Sequence, residues 1–206
     1  ICNLSFDEYM LIVPANSKYK SIMEIVAAAK ANPQKITVGG AQAAGVESVN
    51  VQFIQKAAGI KLSYISFGGG GDAMAAILGG HVDFGFANPG EALEMMKGNK
   101  IRVLGMLTEK RLPSLPDIPT IKEQGLNVVG FKLNRGLLAP AGISTDARKV
   151  LEEAFFKFSN TEDYHKFHSD NILNEGWMDG PTFSKMLHEQ TKIYGDVLKE
   201  AGIIKK

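Results

Sequence analysis

The chain has 206 residues, enough for one large domain or two small ones, and its 45% hydrophobic and 22% charged content is ordinary for a globular fold. A formal net charge of +1 argues against a nucleic-acid partner or a strongly acidic substrate. The single cysteine, Cys2, excludes an internal disulfide, and no apolar run reaches the roughly 18 residues that span a membrane. No secretory leader is recognisable at Ile1, so an exported form is expected to carry its targeting segment outside this chain.

Residues 1–11 read as a lead-in or hinge strand, with residues 10–13 a short apolar strand ended by Pro14. A helix is expected from Ser21, because Ser21 and Glu24 form a capping box and Ile22, Ile25, Val26 and Ala29 fall on one stripe. Residues 36–38 predict the next strand, followed by a loop over 39–45 and a helix with Val49, Phe53, Ile54 and Ala57 inward. Residues 62–67 predict a strand that runs into four consecutive glycines, Gly68, Gly69, Gly70 and Gly71. Glycine lets the backbone turn sharply and lets a ligand approach its amides. The helix after them is expected to begin near Asp72 and to end at Gly79 and Gly80. Residues 82–86 are continuously apolar apart from Asp83 and Gly85, as suits a strand covered on both faces. Pro89 opens the next helix, Gly98 closes it, and residues 101–107 predict another strand.

Strands alternating with helices predict an α/β fold with a parallel sheet and right-handed crossovers. In such sheets a ligand sits beyond the carboxyl ends of the strands. Three loops meet that description, over residues 39–48, 67–72 and 87–90, and each leads into a helix. Helix N-termini converging on one cleft present unpaired N–H groups, which carboxylates satisfy. The glycine run is not a phosphate loop of the usual kind. No lysine followed by serine or threonine comes after it, and Ala73 breaks the G-x-G-x-x-G that Gly68 and Gly70 begin.

Beyond residue 108 the texture changes. Residues 111–119 contain three prolines and no periodicity, so they are expected to be extended loop. Thr120 and Glu123 form a second capping box, predicting a short helical start closed by Gly125. Residues 128–138 read as strand and crossover. Two amphipathic helices follow, one with Ala147, Val150, Leu151, Ala154, Phe155 and Phe158 in a stripe, the other with Phe183, Met186, Leu187, Tyr194, Val197 and Leu198 behind Pro181. No further strand is expected after them.

The remaining chemistry-bearing residues have structural readings. His165 and His168 are three apart on a helix but lack a third metal ligand nearby, so no metal is expected. Asp83 is expected to fix a loop by hydrogen bonding. No G-x-S-x-G elbow is present, and no nucleophile is paired with a base, so no catalytic residue and no cofactor are assigned. Phe155, Phe156 and Phe158 read as core, Trp177 as loop packing between helices, and Lys97, Lys100, Arg102, Lys110 and Arg111 as a solvated face.

Several strings together resemble the substrate-binding proteins of tripartite tricarboxylate transporters, the Bug family. They are KITVGG ending at Gly40, GGHVD ending at Asp83, KIRVLG ending at Gly105, RLPSLPDIPT ending at Thr120 with Glu123 and Gly125, and Arg135-Gly136 with APAG ending at Gly142. The resemblance covers almost the whole chain, and the order and spacing of the strings carry it. It implies a periplasmic-binding-protein-like fold of type II, with two α/β lobes. Residues 12–130 would be the second lobe, and residues 131–206 the mostly helical C-terminal part of the first. It also implies capture of a small organic acid in the periplasm and delivery to membrane permease subunits, without nucleic acid or catalysis. On this footing the ligand-binding residues are Gly40, Ala41, Gln42, Gly45 and Ser48 in the first loop. Gly69, Gly70 and Gly71 follow in the second, Asn88 and Pro89 in the third, and Arg135 where the chain returns to the first lobe. The sequence departs from the family at Gln42, Ala43 and Val46, where more glycine and hydroxyl residues are usual, and at Asn134, where an aromatic residue is often found.

Family members are longer, and the N-terminal part of the first lobe is expected to be missing from this chain. Val150, Leu151, Phe155, Met186, Leu187 and Tyr194 would then be thinly covered, collapsed on one another or covered by another chain, self-association being one way to do so. The alternative function is the ligand-sensing domain of a transcription regulator with the same fold, which would require a DNA-binding helix pair upstream.

Overall fold

The computed structural model describes residues 1–205. In chain order these form β1 (Cys2–Asp7), β2 (Met10–Pro14), α1 (Ile22–Ala31), β3 (Thr37–Gly40), α2 (Val46–Ala58), β4 (Ser63–Ser66), α3 (Gly70–Leu78), β5 (Phe84–Ala87) and α4 (Pro89–Lys97). Then come β6 (Ile101–Met106), β7 (Leu133–Leu137), α5 (Thr145–Phe158), α6 (Glu162–Asp170), β8 (Asn174–Met178) and α7 (Gly180–Glu200).

One sheet has five strands in the order β4-β3-β5-β2-β6. β3 runs parallel to β4 and β5, but β2 is antiparallel to both β5 and β6, so the all-parallel expectation is corrected to a mixed sheet. The cause is where β2 comes from. It enters directly from the second sheet at the edge where β5 ends, with Met10 opposite Ala87, and a strand entering there must run against β5. The alternation of β2 feeds both faces: Leu11 and Val13 join one core with α1 and α2, while Met10 and Ile12 join another with α3 and α4. α3 lies flat on the sheet because Gly85 has no side chain where Ile77 packs. Two apolar layers on a covered sheet make this lobe stable, each buried Ile or Leu being worth roughly 1.5–3 kcal/mol.

The second sheet has three strands, β7-β1-β8, with β1 in the centre and antiparallel to both neighbours. β8 lies between the two striped helices, where the sequence predicted no strand, and it places Trp177 on a strand rather than a loop. Its sequence, NEGWM, shows no apolar alternation. Its glycine is required because a Cβ on Gly176 would meet the Phe6 ring at 2.5 Å. Trp177 packs on Phe156 with ring centroids 5.3 Å apart. Residues 128–138 shorten to strand β7, and residues 120–124 form a turn rather than a helix. The capping box there is nonetheless real: Glu123 N donates to Thr120 Oγ1 at 3.0 Å, and Thr120 N to Glu123 Oε2 at 2.7 Å. The helix after the glycine run starts at Gly70, two residues earlier than expected. Arg102 is not part of a solvated face; its guanidinium donates to the carbonyls of Ala15, Ser17 and Tyr19 and pins the loop after β2.

Two crossovers join the sheets, one from β1 into β2 and one returning from the turn at residues 120–125 to β7. α5 buries none of its residues, with Val150 66% and Leu151 37% exposed, while Phe155, Met186, Leu187 and Tyr194 are half-buried.

Candidate functional site

β3, β4 and β5 are parallel neighbours, so their carboxyl ends lie along one edge, and the loops that follow open α2, α3 and α4 there. Gly40 ends β3, Ala41 and Gln42 lie in the loop, Gly45 is the N-cap of α2, and Ser48 stands in its first turn. Gly69 is the N-cap of α3, with Gly70 and Gly71 its first residues. Asn88 is the N-cap of α4 and Pro89 its first residue. The structure thus brings ten of the eleven sequence-predicted site residues to one sheet edge. Arg135, on β7, joins only the third loop, sharing with Gly90 and Glu91 a cavity of about 230 Å³.

Capping sets these three helices apart. α1, α5, α6 and α7 each begin with a side-chain cap, from Ser21, Ser144, Thr161 and Asp179. α2, α3 and α4 have none. Their first amides are therefore not met by a local side-chain oxygen, and an external acceptor suits them. The approach is open at α3, where a Cβ on Gly69, Gly70 or Gly71 would find nothing within 4 Å. Glu47, Asp72 and Glu91 occupy the three first turns and lower the positive potential, so attraction there comes from directed N–H groups more than from net charge.

Around this edge the side chains are fixed. Tyr64 of β4 lies against Gly40, where no Cβ could fit, and its hydroxyl donates to the Gln42 carbonyl at 2.7 Å. Burial, with Glu47 adding to it, pushes the Tyr64 phenol well above its ordinary range, so it stays a neutral donor. Ser48 is fully buried and its Oγ has no hydrogen-bond partner among the described residues. Asn88 does not cap its own helix; its amide instead donates to the Glu8 carbonyl at 2.8 Å. Asp83 does fix a loop: its Oδ2 accepts from Thr37 N at 2.8 Å and from Thr37 Oγ1 at 2.9 Å.

Asp7 and Glu8, on the first crossover, were not singled out in the sequence. Asp7 is 1% exposed, its Oδ2 is ion-paired with Arg135 Nη2, and its Oδ1 has no partner among the described residues. Burial pushes the Asp7 carboxyl up, and the Arg135 guanidinium and then the Asn88 amide pull it back less far. Burial also raises Glu8, opposed by Lys132 at 3.8 Å and by the Asn174 amide at 2.9 Å. The sequence signal was available: an Asp-Glu pair directly before a fully apolar strand has to bury its charges or to mark a junction.

His165 and His168 diverge. His165 Nδ1 meets Glu175 at 2.7 Å on the surface, while His168 is buried with Nδ1 on the Tyr164 carbonyl at 2.7 Å. Among the described residues no group of three His, Cys, Asp or Glu side chains is placed to hold a metal, and no helix is long and apolar enough to cross a membrane.

A five-stranded mixed sheet covered on both faces, joined by two crossovers to a second sheet, is the architecture of periplasmic solute-binding proteins. A Rhodopseudomonas palustris protein solved with adipate superposes with a TM-score of 0.89 at 17% identity, over 98% of this chain and 68% of that one. MatC from Rhodopseudomonas palustris, solved with bound malate, gives 0.82 at 20% identity, over 96% and 68%. In sequence, the UPF0065 protein in the gbd 5' region of Cupriavidus necator is 30% identical over 205 residues, all of this chain and 62% of that protein. The family model described as tripartite tricarboxylate transporter family receptor matches residues 1–203. The chain belongs to that family, and it spans about 62% of the length of its Cupriavidus necator relative.

Proposed function

We propose that the chain is the greater part of an extracytoplasmic receptor that captures a small organic di- or tricarboxylate for a tripartite tricarboxylate-type transporter. One observation carries the reading: the three helices that open at the shared edge of β3, β4 and β5 are the three without side-chain caps. One carboxylate of the ligand takes the amides at Gly45 and at Gly69 to Gly71, with the Ser48 hydroxyl turning to it, and α4 behind Asn88 and Pro89 closes the third side. Residues 12–130 form the lobe that carries these loops, and residues 131–206 belong to the other. The malate and adipate held by the two R. palustris relatives support an acid of that size. Capture needs no chemistry, only desolvation of the carboxylate between lobes that close over it. The loaded receptor then docks on membrane permease subunits at the periplasmic face.

Isothermal titration against a panel of di- and tricarboxylates that includes malate and adipate tests this. The expected result is saturable binding of at least one acid, lost on esterifying its carboxyl groups. Binding that survives esterification, or a ligand bound at the opposite edge of the sheet, would overturn the reading.

A further inference from the structure

The third ligand loop is tied to the junction between the sheets by a chain of polar contacts. Asn88 stands at the start of α4 with its amide on the Glu8 carbonyl and beside the Asp7 carboxyl. Asp7 ends β1 and reaches across to Arg135 on β7, the neighbouring strand. β1 leads into the outgoing crossover and β7 receives the returning one. The buried Asp7 carboxylate therefore joins the strands at both crossovers, and the Asn88 amide is fixed on the residue next to it. The α4 end also touches the far side directly: Gly90 packs on the Asn171 carbonyl so closely that no Cβ could be inserted. Arg135 is half-exposed, yet its guanidinium is engaged by Asp7 rather than free for a ligand.

We propose that Asn88, Asp7 and Arg135 form a positioning relay, which sets the α4 amides relative to both crossovers, so that Arg135 acts on ligand binding through Asp7 and not by touching the ligand. The proposal deepens the carboxylate reading above and rests on it for the ligand. The physical reason is the asymmetry of burial. Asp7 is enclosed and cannot find water if its partner is lost, whereas Arg135 can. Removing Arg135 leaves a buried unpaired carboxylate beside Asn88. Removing the charge of Asp7 as well leaves nothing to compensate.

The test is a double-variant cycle in the chain, Arg135→Met, Asp7→Asn and both together, titrated with malate and adipate and followed by thermal unfolding. Arg135→Met is expected to lower the melting temperature and weaken binding about tenfold, and the double variant to recover affinity to within about threefold of the parent. A double variant that folds but binds as weakly as Arg135→Met would show direct ligand contact by Arg135 and overturn the relay. A second readout needs no ligand. In nuclear magnetic resonance, the Asn88 side-chain amide and the Gly90 N–H are expected to shift with a carboxylate titration that Asp7→Asn abolishes and Arg135→Met moves to higher pH. The other charged groups near Asp7 are Glu8 beside it, itself paired with Lys132 at 3.8 Å, and Glu91 on α4, and these are unchanged in all variants; α6 presents Phe167 to the shared cavity, and the segment after it Asn171 and Leu173. Amide signals that ignore the Asp7 titration would overturn the relay. A parent that binds no acid in the panel would end the carboxylate reading, and the amide titration would still decide the relay.

Discussion

Asn50 of α2 clasps the backbone of Phe131 on the returning crossover: its Nδ2 donates to the Phe131 carbonyl at 3.1 Å and its Oδ1 accepts from the Phe131 N–H at 2.7 Å. Asn50 is fully buried, so one amide meets a donor and an acceptor that would otherwise be stranded in irregular chain. The Phe131 ring is held as well, stacked on Phe53 at 5.5 Å and edge-on to Tyr194 at 4.7 Å. Asn50→Ala is expected to destabilise by about 2–3 kcal/mol, two lost hydrogen bonds with their partners left buried. Asn50→Asp reproduces both contacts only with its carboxyl protonated, the O–H donating to the Phe131 carbonyl; ionised, it keeps the acceptor, loses the donor and faces that carbonyl with a charge, so it should destabilise more at neutral pH than in acid. Urea unfolding across pH would measure both.

Ser48 offers a separation of stability from function. Its hydroxyl is enclosed and unpartnered among the described residues, so Ser48→Ala should leave unfolding free energy unchanged or slightly improved. Carboxylate affinity should nevertheless fall by on the order of 1 kcal/mol, the size of one hydrogen bond. Equal affinity in parallel titrations would remove Ser48 from the site.

Two glycines should respond in opposite ways. Gly70 faces open space and has no left-handed backbone, whereas a Cβ on Gly85 would collide with Ile77 and come within 2.9 Å of the Gly39 carbonyl. Gly70→Ala should therefore fold with unchanged stability yet weaken ligand binding, because the methyl group stands where the ligand approaches. Gly85→Ala should overpack the layer between α3 and the sheet and destabilise by about 1–3 kcal/mol. Melting temperatures together with titrations distinguish these outcomes.

The pH dependence of stability should carry the mark of the buried acidic pair. Asp7 and Glu8 are raised in the fold, so the folded state holds their protons more tightly than the unfolded chain does. Their contribution is fully present below the ordinary carboxylate range, about pH 4, and is lost as pH rises through the raised values. Glu123 and Asp179 are lowered by hydrogen bonds to their turns and act with the opposite sign, contributing above that range and losing it on acidification. The stability of Asp7→Asn minus that of the parent should therefore grow from acid toward neutral pH. A difference that is flat or falling in chemical unfolding at several pH values would contradict the burial argument.

Much of the five-stranded lobe was legible because its signals are local. The Ser21 box caps α1 as read, with Glu24 N on Ser21 Oγ at 3.2 Å, while the Glu24 carboxylate takes the Lys20 N–H at 2.7 Å. The glycine-bearing loops fall at one edge because β3, β4 and β5 alternate with helices. The direction of β2 was not legible, since a short apolar strand reads alike in either sense and the second sheet decides it. β8 escaped because its five residues show no apolar alternation and its partner, β1, is some 170 positions away, with Asn3 opposite Met178. The role of Asn88 was hidden for the same reason: it read as a ligand contact in the third loop, and only the fold brings the Glu8 carbonyl within its reach.

The central place of β1 in the three-stranded sheet has a consequence for biosynthesis. Of that sheet's strands it leaves the ribosome first, yet its neighbours are β7, with Cys2 opposite Leu137, and β8, with Asn3 opposite Met178. The five-stranded lobe can assemble while translation continues, since its partners are all encoded by residue 106. β1 meanwhile lacks both of these neighbours, and Phe6 the Gly176 backbone it packs on, until residue 178 has been made. Such long-range closure is slow and exposes strand edges, so nascent chains stalled before residue 174 are the species that should aggregate and recruit chaperones.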